Sequence, residues 1–509
     1  MNDISQKIKN SDELAKIVAD LKFQGKKVVQ CHGCFELVHP GHLAHFEAAK
    51  KEGDILIVSL TADQFVRKGP GRPIFPNDVR AKSLASLHVI DYVTIDYDFT
   101  PIELLKKIKP NVYFKGSEYE KALNDPTRNL YKEAEAVRSV GGEIKFSYET
   151  THSATNFLKN HLELYPKPVK DFLDDFANKH DARQIIDLLK NLREMKILII
   201  GETIIDEYNY CEGMGKIPKD NLIATKYLNK ETFAGGVLAC ANHLAGFCDN
   251  VHLVTALGRK NNYENFVKQN IKSNITCRPF FDEEGQTIVK RRFIDPSFFI
   301  KMFEIYHFDD RHLPKQTSDD IVNYLNGMLP QYDMVIVTDY GHGFFDKNII
   351  NILIQKSKFL AINTQTNSAN FGFNLITKYP RADYICIDEQ EARLAAHHKG
   401  GEFTEVSKKI LNNVSSRNII ITRGHRGTMA YDAQNNSYTI PIFSTKIVDR
   451  VGAGDAFLAI TAPCVAKGAP MDVVAFIGNA VGALHVTVVG NKSSIEPDTL
   501  YKFIQTLFK

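Results

Sequence analysis

The segment Asp449-Arg450-Val451-Gly452-Ala453-Gly454-Asp455 puts two glycines and a carboxylate within one turn, ahead of an apolar helical pattern. Glycines at that spacing let backbone N–H groups converge at a helix N-terminus, where free donors and a partial positive charge hold an anion. A carboxylate beside such a hole suits phosphoryl transfer to a hydroxyl. The amides of Gly452, Ala453 and Gly454 would stabilise the transferring group, and Asp455 would take the hydroxyl proton. On its own the segment also fits a glycine-rich turn with Asp455 as an ordinary N-terminal helix charge.

A second constellation runs from His32 to His42, His-Gly-Cys-Phe-Glu-Leu-Val-His-Pro-Gly-His. A short strand at Lys27–Gln30 feeds it, Gly33 permits a tight turn, and His39 and His42 bracket a Pro-Gly before a helix. Two imidazoles at a helix N-terminus suit a phosphate chain. Lys50, two turns along that helix, could reach back toward the phosphates. A lone HxxH is often incidental, or a metal pair on one helical face; Pro40-Gly41 disfavours the latter. Cys31 and Cys34 lack a second CxxC partner, so no zinc site is expected. The chain has no GxxxxGK[ST] and no GxGxxG after a strand, which disfavours P-loop and dinucleotide-binding readings.

Two α/β patterns must position these residues. The first alternates strands at Asp54–Leu60, Tyr92–Ile95 and Val112–Lys115 with helices at about His42–Lys51, Asp78–Leu87 and Ile102–Ile108, and closes near Ser153–Leu158. Such alternation predicts a parallel sheet with helices on its faces. Residues 161–193 are charged and helical and read as a linker between a 1–160 domain and a 194–509 domain. A fresh strand at Lys196–Gly201 opens the second pattern, whose clearest strands are Met334–Thr338, Tyr384–Ile387 and Asn418–Thr422, with a further strand ending at Val448.

The chain has 509 residues, 44% hydrophobic and 24% charged, the balance of a globular protein of several domains. Sixty-three Lys and Arg against 60 Asp and Glu give a net charge of +3, no electrostatic case for nucleic acid or an anionic membrane. The polar start MNDISQKIKN lacks the core of a signal peptide, and no apolar run approaches the ~18 residues of a membrane span. Eight scattered cysteines fit reduced thiols. A cytoplasmic protein is expected. His307, His397 and His398 read as surface residues.

The first half, GCFELVHPGHLAHFEAAK with Arg67–Pro73, Asn77–Arg80, Phe114-Lys115-Gly116 and His152–Thr155, resembles the cytidylyltransferase-like nucleotidyltransferases, and more narrowly that half of the bifunctional ADP-heptose synthases. The resemblance implies a Rossmann-like domain that joins a sugar phosphate to the α-phosphorus of an NTP, with Mg²⁺. It gives nucleotide contacts to Gly33, Phe35, Lys115, Ser153 and Thr155, and catalytic ones to His39, His42 and Lys50. Arg72 and Arg80 are weaker candidates; Arg80 equally fits an exposed helix charge. Glu36 stands where the family has Asp, and Cys31 where Thr is common.

The second half resembles the ribokinase (PfkB) carbohydrate kinases, which implies an αβα sandwich with a small β lid, ATP as phosphoryl donor and Asp455 as the base. Ile200–Asp206 resembles the opening strand and gives Asp206 to sugar hydroxyls. Phe233–Asn242 resembles the Gly-Gly sugar motif, with Gly235, Gly236 and Asn242. Asp339–Gly343 resembles DYGKG, with His342 for Lys. Asp388 and Glu391 stand at NxxE, near Mg²⁺. Thr422, Gly424 and Gly427 resemble the nucleotide turn, and Asn479 would lie near adenine. Ala239 replaces an Asn, and Asn363-Thr364 an Asp-Pro. Lys290-Arg291-Arg292, after a strand at Gln286–Val289, could clamp a phosphate on the sugar, with Lys290 and Arg292 as candidates, or be a solvated strand end. In ADP-heptose synthases the kinase comes first; here it comes second. The expectation is a bifunctional kinase and adenylyltransferase for heptose 7-phosphate, acting as a homodimer on small molecules. The alternatives are another sugar or polyol phosphate with CTP, or a non-catalytic sugar-binding module.

Overall fold

The computed structural model describes residues 4–117, 120, 129–147, 165–434, 436–444 and 446–508. They fall into two compact units, 1–166 and 167–508, each described by itself.

The first unit is built on a parallel sheet of β1 (Val28–Gly33), β2 (Ile55–Thr61), β3 (Tyr92–Asp96), β4 (Val112–Gly116) and β5 (Glu143–Ser147), in the order β3-β2-β1-β4-β5. Strand order reverses beside β1, and such a switch point opens a crevice at the strands' carboxyl ends. Alternation sends Val29, Cys31 and Val58 to one core with Phe46 of α2 (Pro40–Lys51) and Leu84 of α3 (Asn77–Ala85). Val28 and Ile57 go to the other face, against Leu14 and Val18 of α1 (Ser11–Phe23) and Leu104 and Ile108 of α4 (Ile102–Ile108). A capping box between Asn10 and Glu13 starts α1. The closing segment expected at 153–158 lies outside the described residues.

The second unit carries a nine-stranded sheet, β10-β9-β6-β13-β14-β15-β16-β17-β18. Its strands are β6 (Lys196–Gly201), β9 (Asn250–Gly258), β10 (Ile275–Asp282), β13 (Met334–Asp339), β14 (Leu360–Thr364), β15 (Tyr384–Asp388), β16 (Asn418–Thr422), β17 (Thr428–Tyr431) and β18 (Ser437–Ile440). It is parallel except at β16–β17–β18. Its central strands are apolar on both faces, because helices cover both. A separate four-stranded sheet, β12-β11-β7-β8, comprises β7 (Thr203–Lys216), β8 (Ile223–Gly236), β11 (Ile288–Asp295) and β12 (Ile300–His307). This is the expected sandwich with its small lid.

Three expectations are corrected. The stretch read as a linker forms helices Lys167–Lys179 and Ala182–Lys190, which bury Leu173, Phe176, Ile185 and Leu189 within the second unit. Phe176 stacks on Phe476 at 4.4 Å, so these helices are packed rather than bridging. No strand ends at Val448; the N–H groups of Val448 and Asp449 donate to the Val486 carbonyl at a helix end instead. Lys290-Arg291-Arg292 does not follow a strand but lies inside β11.

Candidate active sites

In the first unit β1 ends at Gly33 and α2 begins at Pro40, with His39 as its extended N-cap. Phe35 takes a positive φ of 45° in the turn and packs on His42 and Phe46. His39 and His42 stack with ring centres 3.8 Å apart. Burial, with His39 and His45 nearby, holds His42 down at about 3. His42 is thus neutral at pH 7, a hydrogen-bonding group that adds no charge to the helix terminus.

On the sheet face away from α2, His32 meets the hydroxyls of Ser59 (3.0 Å) and Thr61 (3.3 Å) and lies 3.8 Å from Asp96. Burial pushes His32 down to about 3 and Asp96 up to about 7. Lys115, at the end of β4, pairs with Glu133 at 3.4 Å. Glu36 is buried and held below the usual carboxylate range by Arg72, Lys68 and the Ile74 N–H, which outweigh its burial. Neutral imidazoles, a lysine and helix amides suit a triphosphate, and no side chain needs to serve as a base.

In the second unit Gly452, at φ 83°, is the N-cap of the helix Ala453–Ala466. A Cβ there would come 2.1 Å from Asn491 Oδ1, so only glycine fits. A Cβ on Gly454 would meet nothing within 4 Å, which leaves the first amides open to a phosphoryl group. Tyr340 Oη donates to Asp455 Oδ1 at 2.7 Å. Desolvation by the surrounding protein pushes Asp455 up to about 7; the Tyr340 hydroxyl opposes this, Asp206 adds to it, and Lys290 opposes it. A base near pH 7 is half ionised and well matched to a hydroxyl proton.

Asp206 is buried and pairs with Arg292, and Asn491 Nδ2 donates to it at 3.4 Å. A Cβ on Gly235 would lie 2.0 Å from Asp206 Oδ2. Alternation along β11 points Lys290 and Arg292 to this side and Arg291 to Glu207 on the other. Lys290 is buried, and burial lowers its pKa against the pull of Asp206. Glu202, pushed up to about 7 by burial and Asp339, accepts the N–H groups of Tyr340 and His342 and so fixes that loop.

The fold has counterparts among known proteins. The pfkB family carbohydrate kinase profile matches residues 194–498. The chain belongs to the pfkB family. The cytidylyltransferase-like profile matches residues 31–167. Over 166 residues the chain is 37% identical to the bifunctional protein HldE of Trichlorobacter lovleyi, a match covering 32% of each chain. Over 115 residues it is 48% identical to HldE of Aliarcobacter butzleri, covering 22% of this chain and 24% of that one. The chain thus spans about a third or less of the curated relatives it matches. The second unit is similar in fold to phosphofructokinase-2 from Escherichia coli in complex with substrates and products. That match has a TM-score of 0.50 and 10% identity, and covers 62% of this chain and all of that one. The chain thus carries a cytidylyltransferase-like region followed by a pfkB carbohydrate kinase region.

Within this pfkB kinase the structure gathers Asp455, Gly452, Ala453, Gly454, Asp206, Gly235, Gly236, Lys290 and Arg292 at one place. Thr422, Gly424 and Gly427 form the β16–β17 turn. Asn479 donates to Thr428 Oγ1 (3.0 Å) and the Ile440 carbonyl (3.2 Å), so its amide nitrogen braces β17 and β18 beside that turn. Asn242 spends its amide on backbone: it donates to Asn270 O and accepts from Lys272 N, holding the 270–272 loop. Asp388 and Glu391 form a capping box, and Glu391 also accepts the Thr366 N–H. Burial and Asp388 push Glu391 up to about 8. Among the described residues no three His, Cys, Asp or Glu side chains converge on a metal position. Burial raises both acids, and the pair still fits a divalent ion held through water, its other ligands coming from the nucleotide.

In the nucleotidyltransferase domain Gly33, Phe35, His39, His42 and Lys115 meet at the carboxyl ends of the strands. Lys50 does not. It sits near the far end of α2, paired with Asp91 and the Asp54 carbonyl beside the strands' amino ends. Arg80 is not an exposed charge: it is buried and donates to the carbonyls of Cys34, Thr61 and Phe75 and to Asp63. Ser153 and Thr155 lie outside the described residues. Asp449, Tyr340, Asn491 and Lys301 were not singled out as site residues in the sequence, because what gives each a role is a distant partner.

Proposed function

We propose that the two domains catalyse consecutive steps of nucleotide-sugar synthesis. In the second domain a sugar hydroxyl attacks the γ-phosphorus of ATP, Asp455 takes the proton and ADP leaves. In the first domain an oxygen of the resulting sugar 1-phosphate attacks the α-phosphorus of an NTP and pyrophosphate leaves. The observation that carries this reading is Asp455, tuned to about 7 and bonded by Tyr340 beside an open helix N-terminus. The relatives named bifunctional protein HldE support heptose 7-phosphate as acceptor, phosphorylated at C1, and ATP as the second nucleotide. Mg²⁺ would offset phosphate charge, near Glu391 and Asp388 in the kinase.

We also read the chain as a cytoplasmic homodimer. Eight free cysteines suit a reducing compartment, and no helix of the described residues is long and apolar enough to cross a membrane. The four-stranded sheet exposes Ile223 (74%), Met214 (67%) and Phe303 (53%), a face that a second copy would cover. Light scattering that finds only monomer refutes the dimer.

The test of the reaction is incubation with D-glycero-D-manno-heptose 7-phosphate, Mg²⁺ and ATP or CTP, followed by mass spectrometry and pyrophosphate release. ADP-heptose is the expected product. ADP without a nucleotide-sugar refutes the second step as written; no ADP refutes heptose as the acceptor.

A further inference from the structure

Asp449 lies three residues before Gly452, the first of the amides at the kinase site, and is 3% exposed. Its Oδ1 accepts the Val451 N–H at 3.2 Å and meets Lys301 Nζ at 2.5 Å. Its Oδ2 accepts the Gly490 N–H at 2.9 Å and the Tyr208 hydroxyl at 2.6 Å. One carboxylate therefore ties together the two loops that flank Gly452. One leads directly into the anion hole. The other carries Asn491, which packs on Gly452 and donates to Asp206.

The cation that balances this carboxylate comes from the other sheet, and a local irregularity aims it. Along β11 and β12, Lys290 faces Tyr306, Arg292 faces Glu304 and Phe293 faces Phe303, but Ile294 faces Lys301. Met302 is the extra residue. With period-two alternation Lys301 would share the outward face of Phe303 and Ile305, which are 53% and 42% exposed. The bulge turns it to the inner face, where Arg292 and Tyr208 lie. Lys301 then holds Asp449 below the usual carboxylate range, together with the Tyr208 hydroxyl and against its burial.

We propose that Lys301, turned inward by the bulge at Met302, is a positioning residue for phosphoryl transfer: it neutralises Asp449, which holds the Val451 and Gly490 loops and so presents the amides of Gly452–Gly454. A buried carboxylate stripped of its cation is a costly group that protonates or moves; protonation weakens its hold on the N–H groups and movement breaks it. This inference rests on the kinase reading, but its first test needs no sugar. The affinity of the full chain for ADP with Mg²⁺ and aluminium fluoride, a mimic of the transferring phosphoryl group, is compared with that for ADP alone.

Lys301→Met is expected to weaken the mimic at least tenfold and ADP less than twofold. Lys301→Arg, which keeps the charge, should stay within threefold of wild type on both. Lys301→Gln, a second variant that keeps a donor without the charge, should match Lys301→Met. In an Asp449→Asn background Lys301→Met should add less than twofold, because its route is gone. Unchanged affinity for the mimic in Lys301→Met or Lys301→Gln overturns the proposal. So does an equal loss for ADP and mimic, which marks a general structural role. A wild-type chain that phosphorylates no sugar counts against the substrate reading alone, since the binding comparison is made without one.

Discussion

The two domains both offer a helix N-terminus to a phosphate chain, yet they arm it in opposite ways. At α2 the terminus is lined by stacked imidazoles, one of which burial keeps neutral to about pH 3. At Ala453–Ala466 it is lined by glycines and a carboxylate that desolvation raises to about 7. On the proposed reactions, the difference follows from the nucleophile. A sugar phosphate is already an anion and needs its partner's charge offset, not its own proton removed. A sugar hydroxyl must lose a proton, so a base has to stand beside the amides.

Predictions that break or sharpen this contrast run from large effects to small. Asp455→Asn should lower kinase kcat by about 10²–10⁴-fold, the usual worth of a positioned base, and leave nucleotidyl transfer intact in the same preparation. His42→Ala should cost the transferase about 10²–10³-fold, as for loss of one preorganised donor, with kinase rates unchanged. The pH profiles should then diverge. Kinase kcat/KM falls about tenfold per unit as pH drops below about 7, because Asp455 takes up its proton, and levels above it. The transferase shows no such limb from His42 or His32 over the same range, because both stay neutral. A shared profile would erase the distinction between the sites. Arg80→Met should destabilise the first domain by about 2–4 kcal/mol, since three carbonyls lose a donor; thermal unfolding reads this directly. Lys50→Met should change turnover less than twofold and stability by no more than about 1 kcal/mol, as its partner Asp91 is about a third exposed.

What was legible in the sequence was what is local. Val28–Gly33 followed by Pro40–Lys51, and Gly452–Asp455 opening a helix, place their groups by spacing alone, because strand, turn and helix geometry leave little choice over so few residues. The same is true of the alternating strands and helices that predicted the parallel sheet of the first unit and a second α/β pattern. Lys50 shows where spacing misleads: two helical turns carried it toward the wrong end of the sheet, to a carboxylate 41 residues away. Asn242 and Asn479 had suitable amides, but the backbones of 270–272 and 440 claimed them. Arg80 fitted a site residue and an exposed helix charge equally until the turn at Cys34 folded over it.

By itself, then, the sequence determined both α/β folds and the two phosphate-binding turns, since these depend on periodicity and on residues a few positions apart. Tertiary structure decided the state of the groups that do the chemistry. The pKa of Asp455 depends on burial and on Tyr340, 115 residues away; Asp449 is balanced by a lysine 148 residues away, turned inward by one extra residue in a strand. Desolvation and charge pairing act through space, and only the folded chain sets those distances.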